Sequence, residues 1–186
     1  MDLTPWLRSI AGLRADQLRA RLHSLALAAN SGAARATQVS PKFTLVAGPF
    51  SEALRKTEFF FNGGRGLHSN DARGTTLTTD PKTGDPKTGD PTTGDPADQV
   101  PPLAASRGLA LGARTEAVTG LQSLIALWQM RSDSELVYIG DAGATEASEA
   151  SGASLRRGVA FNNRWTPAPW LRVDADLAWT HARFTK

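Results

Sequence analysis

The run Leu171-Arg172-Val173-Asp174-Ala175-Asp176-Leu177-Ala178-Trp179 decides the fold. Its odd positions are Leu, Val, Ala, Leu and Trp; its even positions are Arg, Asp, Asp and Ala. A β-strand sends successive side chains to opposite faces, so this run makes one apolar face and one charged face. Wound as a helix, it would mix both sets around the circumference. The segment before it has the same period. Leu155, Val159, Phe161 and Trp165 share one parity, interrupted by Arg157 and Asn163; Arg156, Gly158, Ala160, Asn162 and Arg164 share the other. Between the two lies Thr166-Pro167-Ala168-Pro169, a short stiff turn. The pair reads as a hairpin with Trp165 and Trp170 on either side of its turn.

Further upstream, Ala105, Leu109, Leu111 and Ala113 alternate with Ser106, Gly108, Ala110, Gly112, Arg114 and Glu116. A turn at Val118-Thr119-Gly120 leads into a second extended stretch, Leu121–Tyr138. Earlier still, Phe43–Ala47 and Thr57–Phe61 flank Gly48–Lys56. Ala15–Ala29 is the exception, because its intrinsic propensity alone predicts a helix. Two segments read as loops. His68–Pro102 holds DPKTG at 80–84, DPKTG at 85–89 and DPTTG at 90–94, and Pro and Gly in every unit forbid a regular helix or central strand. Gly140–Ser154 is rich in Ala, Ser, Gly and Glu. Connections thus alternate between short (48–56, 117–120, 166–169) and long (25–38, 67–102, 140–154). Short turns on one side and long loops on the other describe an outer-membrane β-barrel, with the apolar parity toward lipid and the polar or small parity toward the lumen.

Composition narrows the classes. The chain has 186 residues, 40% apolar, with 17 Gly, 21% charged residues and a net charge of +3. That is neither a disordered polyelectrolyte nor a nucleic-acid footprint. With no cysteine there is no disulfide scaffold, thiolate metal site or cysteine nucleophile. No apolar run approaches the roughly 18 residues of a transmembrane helix. Met1–Trp6 does not begin a secretory signal, and Arg8, Arg14, Arg19 and Arg21 interrupt every candidate apolar core behind it. His23, His68 and His181 lie far apart in sequence with no carboxylate at ligand spacing. No G-x-S-x-G elbow occurs, Gly63-Gly64-Arg65-Gly66 lacks the phosphate-loop pattern, and the repeat lacks calcium-loop spacing. The expectation is a chain that is not an enzyme, with no metal, no cofactor and no nucleic-acid partner.

Several stretches resemble TonB-dependent outer-membrane receptors. They are Thr57–Arg73, Ser106–Gly108, Gly112–Thr115, Gly120–Ser123, Leu127–Gln129, Ser134–Val137 with Gly140–Gly143, and Trp170–Leu177. The resemblance runs from Leu3 to Phe184, and it assigns Ala15–Leu22 to strand despite the helix propensity. It implies an all-β fold: an antiparallel up-and-down meander of about seven strands, at 3–22, 39–48, 56–66, 103–117, 120–138, 154–165 and 170–184. Such a meander is about a third of a receptor wall of some 22 strands. Residues 1–186 then form one partial barrel domain with a low-complexity insertion at 74–100, and no plug domain or signal peptide is read. The implied function is TonB-energised uptake of a scarce nutrient, such as a metal chelate or a vitamin-like cofactor, with this chain inactive alone. Its implied partners are outer-membrane lipid, the TonB system acting through the plug, and a small ligand, and its implied place is the cell outer membrane.

Two residue sets follow. Arg65, His68, Asn70, Asp71 and Arg73 lie at the outer end of one strand, where they would make a polar rim around an incoming ligand. Arg114, Glu116, Arg156, Arg164, Arg172, Asp174 and Asp176 fall on the polar parity, where they would face the lumen and plug. The competing architecture is a soluble β-sandwich that binds a ligand, its apolar parities packed sheet on sheet. Aromatic placement separates the two. Trp6, Phe50, Trp165 and Trp170 sit beside the short turns, as an interface girdle does; a sandwich spreads its tryptophans through a core.

Overall fold

The computed structural model describes residues 2–48, 56–70, 72–79, 101–134, 136–137, 149–150 and 153–185. They form one antiparallel sheet of eight strands in the order β1-β2-β3-β4-β5-β6-β9-β10. The strands are β1 (Asp2–Thr4), β2 (Leu7–Leu22), β3 (Gly32–Ala47), β4 (Thr57–Ser69), β5 (Leu103–Thr115), β6 (Leu121–Ser132), β9 (Ala153–Ala168) and β10 (Leu171–Thr185). A two-stranded ribbon, β7 (Leu136–Val137) with β8 (Glu149–Ala150), lies between β6 and β9 in the chain. Each long strand pairs with its neighbours in the chain order of the sheet, so the fold is an all-β up-and-down meander.

The seven long strands match the expected meander, with these corrections. The strand expected over 3–22 is broken at Pro5-Trp6 into β1 and β2, and Thr166–Ala168, expected as turn, continue β9. β3 begins at Gly32 rather than residue 39, so Gly32–Gln38 is strand and not loop. β6 ends at Ser132, and the stretch to Tyr138 resumes only as β7. Ala15–Leu22 is strand: pairing with Val39–Gly32 overrides its helix propensity. Phe50, Asp71, the repeat units at 80–94 and most of Gly140–Ser154 lie outside the described residues. Pro41 marks a parting of strands. β3 pairs with β4 only over Lys42–Ala47, and a proline cannot donate to a ladder on that side. Beyond it the Gln38 side chain bridges to the Gly66 carbonyl at 2.7 Å.

Register fixes the two faces. Apart from the bulge at Leu171, odd residues of the long strands pair with odd and even with even. The odd face carries Phe43, Phe61, Leu111, Leu127, Val159, Phe161 and Trp179; Val173, Leu177 and Trp179 lie on it opposite Trp165, Phe161 and Val159. Asp174 and Asp176 lie on the even face, opposite Arg164 and Asn162. Every buried residue within the long strands is even: Ser40, Val46, Ala104, Ser132, Ser154 and Gly158. The even face is therefore the hollow one. Val46 and Ala104 are the only buried apolar side chains among the described residues, whereas the buried polar ones include Asn30, Ser40, Asn70, Ser132 and Ser154. The sheet is inverted relative to a water-soluble domain, which buries its apolar face. The one other sheet among the described residues is the two-stranded β7–β8 ribbon, too small to cover that face as a sandwich would.

Three aromatic residues break the pattern by falling on the hollow face; Phe184 lies opposite Ser154, and the other two each lie over a glycine. Phe60 is opposite Gly112 and Trp128 is opposite Gly158. A Cβ on Gly112 would run into the Phe60 ring, and one on Gly158 into the Trp128 ring and the Trp179 carbonyl. The glycines leave room for the rings, and the rings cover the bare backbone. Gly158→Val is expected to cost about 2–3 kcal/mol through overpacking. Gly12→Ala, at a site where a Cβ meets nothing within 4 Å, is expected to be neutral. Denaturant midpoints of the detergent-folded chain would check the pair; equal midpoints would remove the aromatic–glycine argument.

The long-loop end is tied by two asparagines. The Asn30 Oδ1 accepts the Thr78 and Thr79 amides at 3.0 and 2.9 Å, and its Nδ2 donates to the Thr79 carbonyl at 2.8 Å. Asn70 donates from Nδ2 to the Pro101 carbonyl at 2.6 Å and from its amide to the Pro102 carbonyl at 3.1 Å.

Candidate functional site

The hollow face deepens at the short-turn end into a cavity of about 910 Å³, lined from β4 to β10 by residues that include Glu58, Arg114, Gln122, Asn162, Arg164 and Asp174. Even-parity positions near the turns bring these side chains together. Glu58 is the hub. It pairs with Arg114, its register partner on β5, whose Nε donates to Glu58 Oε2 at 2.6 Å. It also pairs with Arg8 of β2, across the end of β3. There Gly48 follows Ala47, the register partner of Phe59, and has φ +127°. A side chain would fit neither that backbone nor the space, where a Cβ would meet the Thr57 carbonyl.

A second network fills the other flank. Arg164 Nε donates to Asp174 Oδ1 at 2.9 Å and Arg172 Nε to Asp174 Oδ2 at 3.0 Å. Asn162 Nδ2 donates to Asp176 Oδ1 at 2.9 Å. With Lys56 and Glu116 also on the lining, the cavity wall carries both signs of charge held in place by ion pairs. Such a wall suits a polar partner surface. Among the described residues, no group of three or more His, Asp or Glu stands close enough to hold a metal.

The residues expected to face the lumen converge here: Arg114, Glu116, Arg164, Asp174 and Asp176 line the cavity, and Arg172 joins through Asp174. Arg156 lies on the same face, opposite Met130 and Ala182, away from the cavity. The rim set does not come together. Arg65 points to the apolar face, opposite Arg107, whereas His68 is on the hollow face, opposite Ala104. Asn70 is buried in its clasp with Pro101, Arg73 is exposed on a one-turn helix, α1 (Ala72–Thr75), and Asp71 lies outside the described residues. Sequence reading missed Glu58 and Arg8. The signal for Glu58 was its even position before Phe59; that for Arg8 exists only in the register of three strands.

Removing the hub is expected to be costly. Glu58→Gln leaves two arginines without their shared countercharge, at about 1–2 kcal/mol for a group this well covered. Asp174→Asn, in an exposed pair, is expected to cost far less. Unfolding midpoints at low and high salt would test the contrast, and equal costs would dissolve the distinction.

No protein-family model matches the chain, and no curated protein matches it.

Proposed function

We propose that this chain forms part of the wall of a TonB-energised outer-membrane receptor that takes up a scarce nutrient, such as a metal chelate or a vitamin-like cofactor. The observation that carries the reading is the inverted sheet: apolar side chains on the odd face and ion pairs in the hollow. An outer-membrane strand has this alternation, apolar toward lipid and polar toward the lumen. The apolar stretch also has the right length. From Thr57 to Arg65, Ser123 to Arg131 and Trp165 to Arg157 it spans about nine residues, near the lower end of what a tilted strand needs to cross a bilayer. Trp6, Trp165 and Trp170 stand exposed at the short-turn end, where an interface girdle belongs. No helix among the described residues is long and apolar enough to cross a membrane.

In this reading the mixed-charge cavity meets the plug, and outer-membrane lipid covers the odd face. The chemistry is transport, so no residue carries a bond-making role. The absence of native cysteine permits a direct test. Single cysteines at Leu109, Ala110, Leu111 and Ala113, labelled with a polarity-sensitive dye in the detergent-folded chain, should report apolar surroundings at the odd positions and aqueous ones at Ala110. A flat profile would sink the wall reading. The receptor reading is tested in cells: deleting the locus should reduce uptake of a labelled metal chelate or corrin only where TonB is present. Unchanged uptake across such a panel would reject it.

A further inference from the structure

The charges in the long strands are sorted by face. Every carboxylate lies on the hollow face, at Asp16, Glu58, Asp174 and Asp176. The apolar face carries none, yet each long strand places an arginine there. Arg65, Arg107 and Arg131 are direct register partners across β4, β5 and β6. Arg157 follows on β9, opposite Gln129 and His181, and β2 and β3 set Arg19 against Arg35. These arginines are all exposed, and all stand on the long-loop side of the apolar stretch. The short-turn side of the same face has Trp165 instead, with Trp6 and Trp170 in turns.

Like charges placed directly opposite each other repel. Three guanidinium groups in a row on a face without carboxylates are therefore an unbalanced feature. Among the described residues none of the three makes an ion pair. Beside the row lies a groove of about 570 Å³ lined by Phe43, Phe61, Gly63 and Leu109, by Arg65, Arg107 and Arg131, and by Lys42 and Gln129. Apolar walls beside the three arginines and Lys42 suit an acyl chain that carries a phosphate.

We infer that this groove binds a phosphate-bearing lipid, its acyl chain against Phe61 and Leu109 and its phosphate between Arg65, Arg107 and Arg131. The inference rests on the membrane reading above and deepens it, because it assigns the long-loop side of the sheet to a leaflet rich in lipid phosphate. Arg65 thereby has a ligand other than an imported nutrient.

The test uses the full chain in a neutral detergent. Phosphatidic acid and phosphatidylcholine of the same acyl chains are titrated into the micelles, with binding read from ³¹P chemical shift and from quenching of tryptophan by brominated chains. Phosphatidic acid is expected to bind about a hundred-fold more tightly, each arginine contributing about five-fold beside an anionic headgroup. Rising salt should erode that preference. The triple variant Arg65→Gln, Arg107→Gln, Arg131→Gln should bind the two lipids alike, with the dye alternation of β5 retained to show that it still folds. Gly63→Leu, which fills the groove and keeps the arginines, should weaken the long-chain phosphatidic acid far more than a short-chain one. Equal affinity for both lipids in the unaltered chain would overturn the inference and leave the membrane reading standing. Displacement by inorganic phosphate at matched concentration would assign the row to free phosphate and also overturn it. A chain that takes up no detergent would defeat the membrane reading itself, and this inference with it.

Discussion

In plain buffer the isolated chain is expected to elute at the void volume, with no monomer peak and little amide protection outside β4–β6. The reason lies in the sheet itself. Val46 and Ala104 are its only buried apolar side chains among the described residues, and Leu13, Leu109, Leu127, Leu177 and Trp179 are all at least half exposed. That apolar face exceeds the few hundred Å² a soluble monomer tolerates. The edges add to the problem. β10 is exposed along nearly its whole length and β2 is covered by β1 only near Leu7, so both present rows of unpaired backbone groups. Detergent relieves the face but not the edges, each unsatisfied group costing several kcal/mol in an apolar phase. Detergent should therefore yield oligomers joined edge to edge. Size-exclusion chromatography with hydrogen exchange, in buffer and in detergent, reads both states. A monodisperse, protected monomer in buffer would show that something other than lipid satisfies the odd face.

The second large effect changes sign with the medium. Leu127 sits in the middle of the apolar stretch, between its register partners Leu111 and Val159, and is 56% exposed. Leu127→Arg should destabilise the lipid-inserted sheet by about 2–4 kcal/mol, the cost of a charge at mid-membrane on a barrel's outer wall. In water the same change should help, because it breaks the apolar patch that drives association. Urea titration in lipid bilayers and turbidity in buffer give the two signs. A core-packing role for Leu127 would make the variant worse in both, and that result would exclude a lipid-facing wall.

Much of this was legible because period two is a strong signal where one face is charged. The β9–β10 hairpin and its facing residues could be read from Leu171–Trp179 alone, since Asp174 and Asp176 forbid burial beside Val173. Legibility failed where the deciding partner lies on another strand. Gly32–Gln38 has no alternation of its own and becomes strand through Ala15–Leu22. Three consecutive phenylalanines at 59–61 have no parity to read, and Phe60 turns inward because Gly112 leaves room for it. The two interruptions in β9 proved informative. Arg157 belongs to the arginine row, and Asn163 accepts a hydrogen bond from Ser123 at 2.7 Å, at the short-turn margin of the apolar stretch. Two members of the rim set part for a simpler reason. Arg65 and His68 are three residues apart in one strand, an odd spacing that always separates faces.

The Asn70 clasp has a consequence for how this gene can change. The chain leaves the sheet's edge region after Thr79, which Asn30 holds, and is received again at Pro101, which Asn70 holds. Closing a loop grows costlier only with the logarithm of its length, so one further five-residue unit adds about 0.1 kcal/mol. A change of one five-residue unit is thus nearly neutral to loop closure. The number of units between these two anchors is therefore expected to vary with little effect on the stability of the sheet.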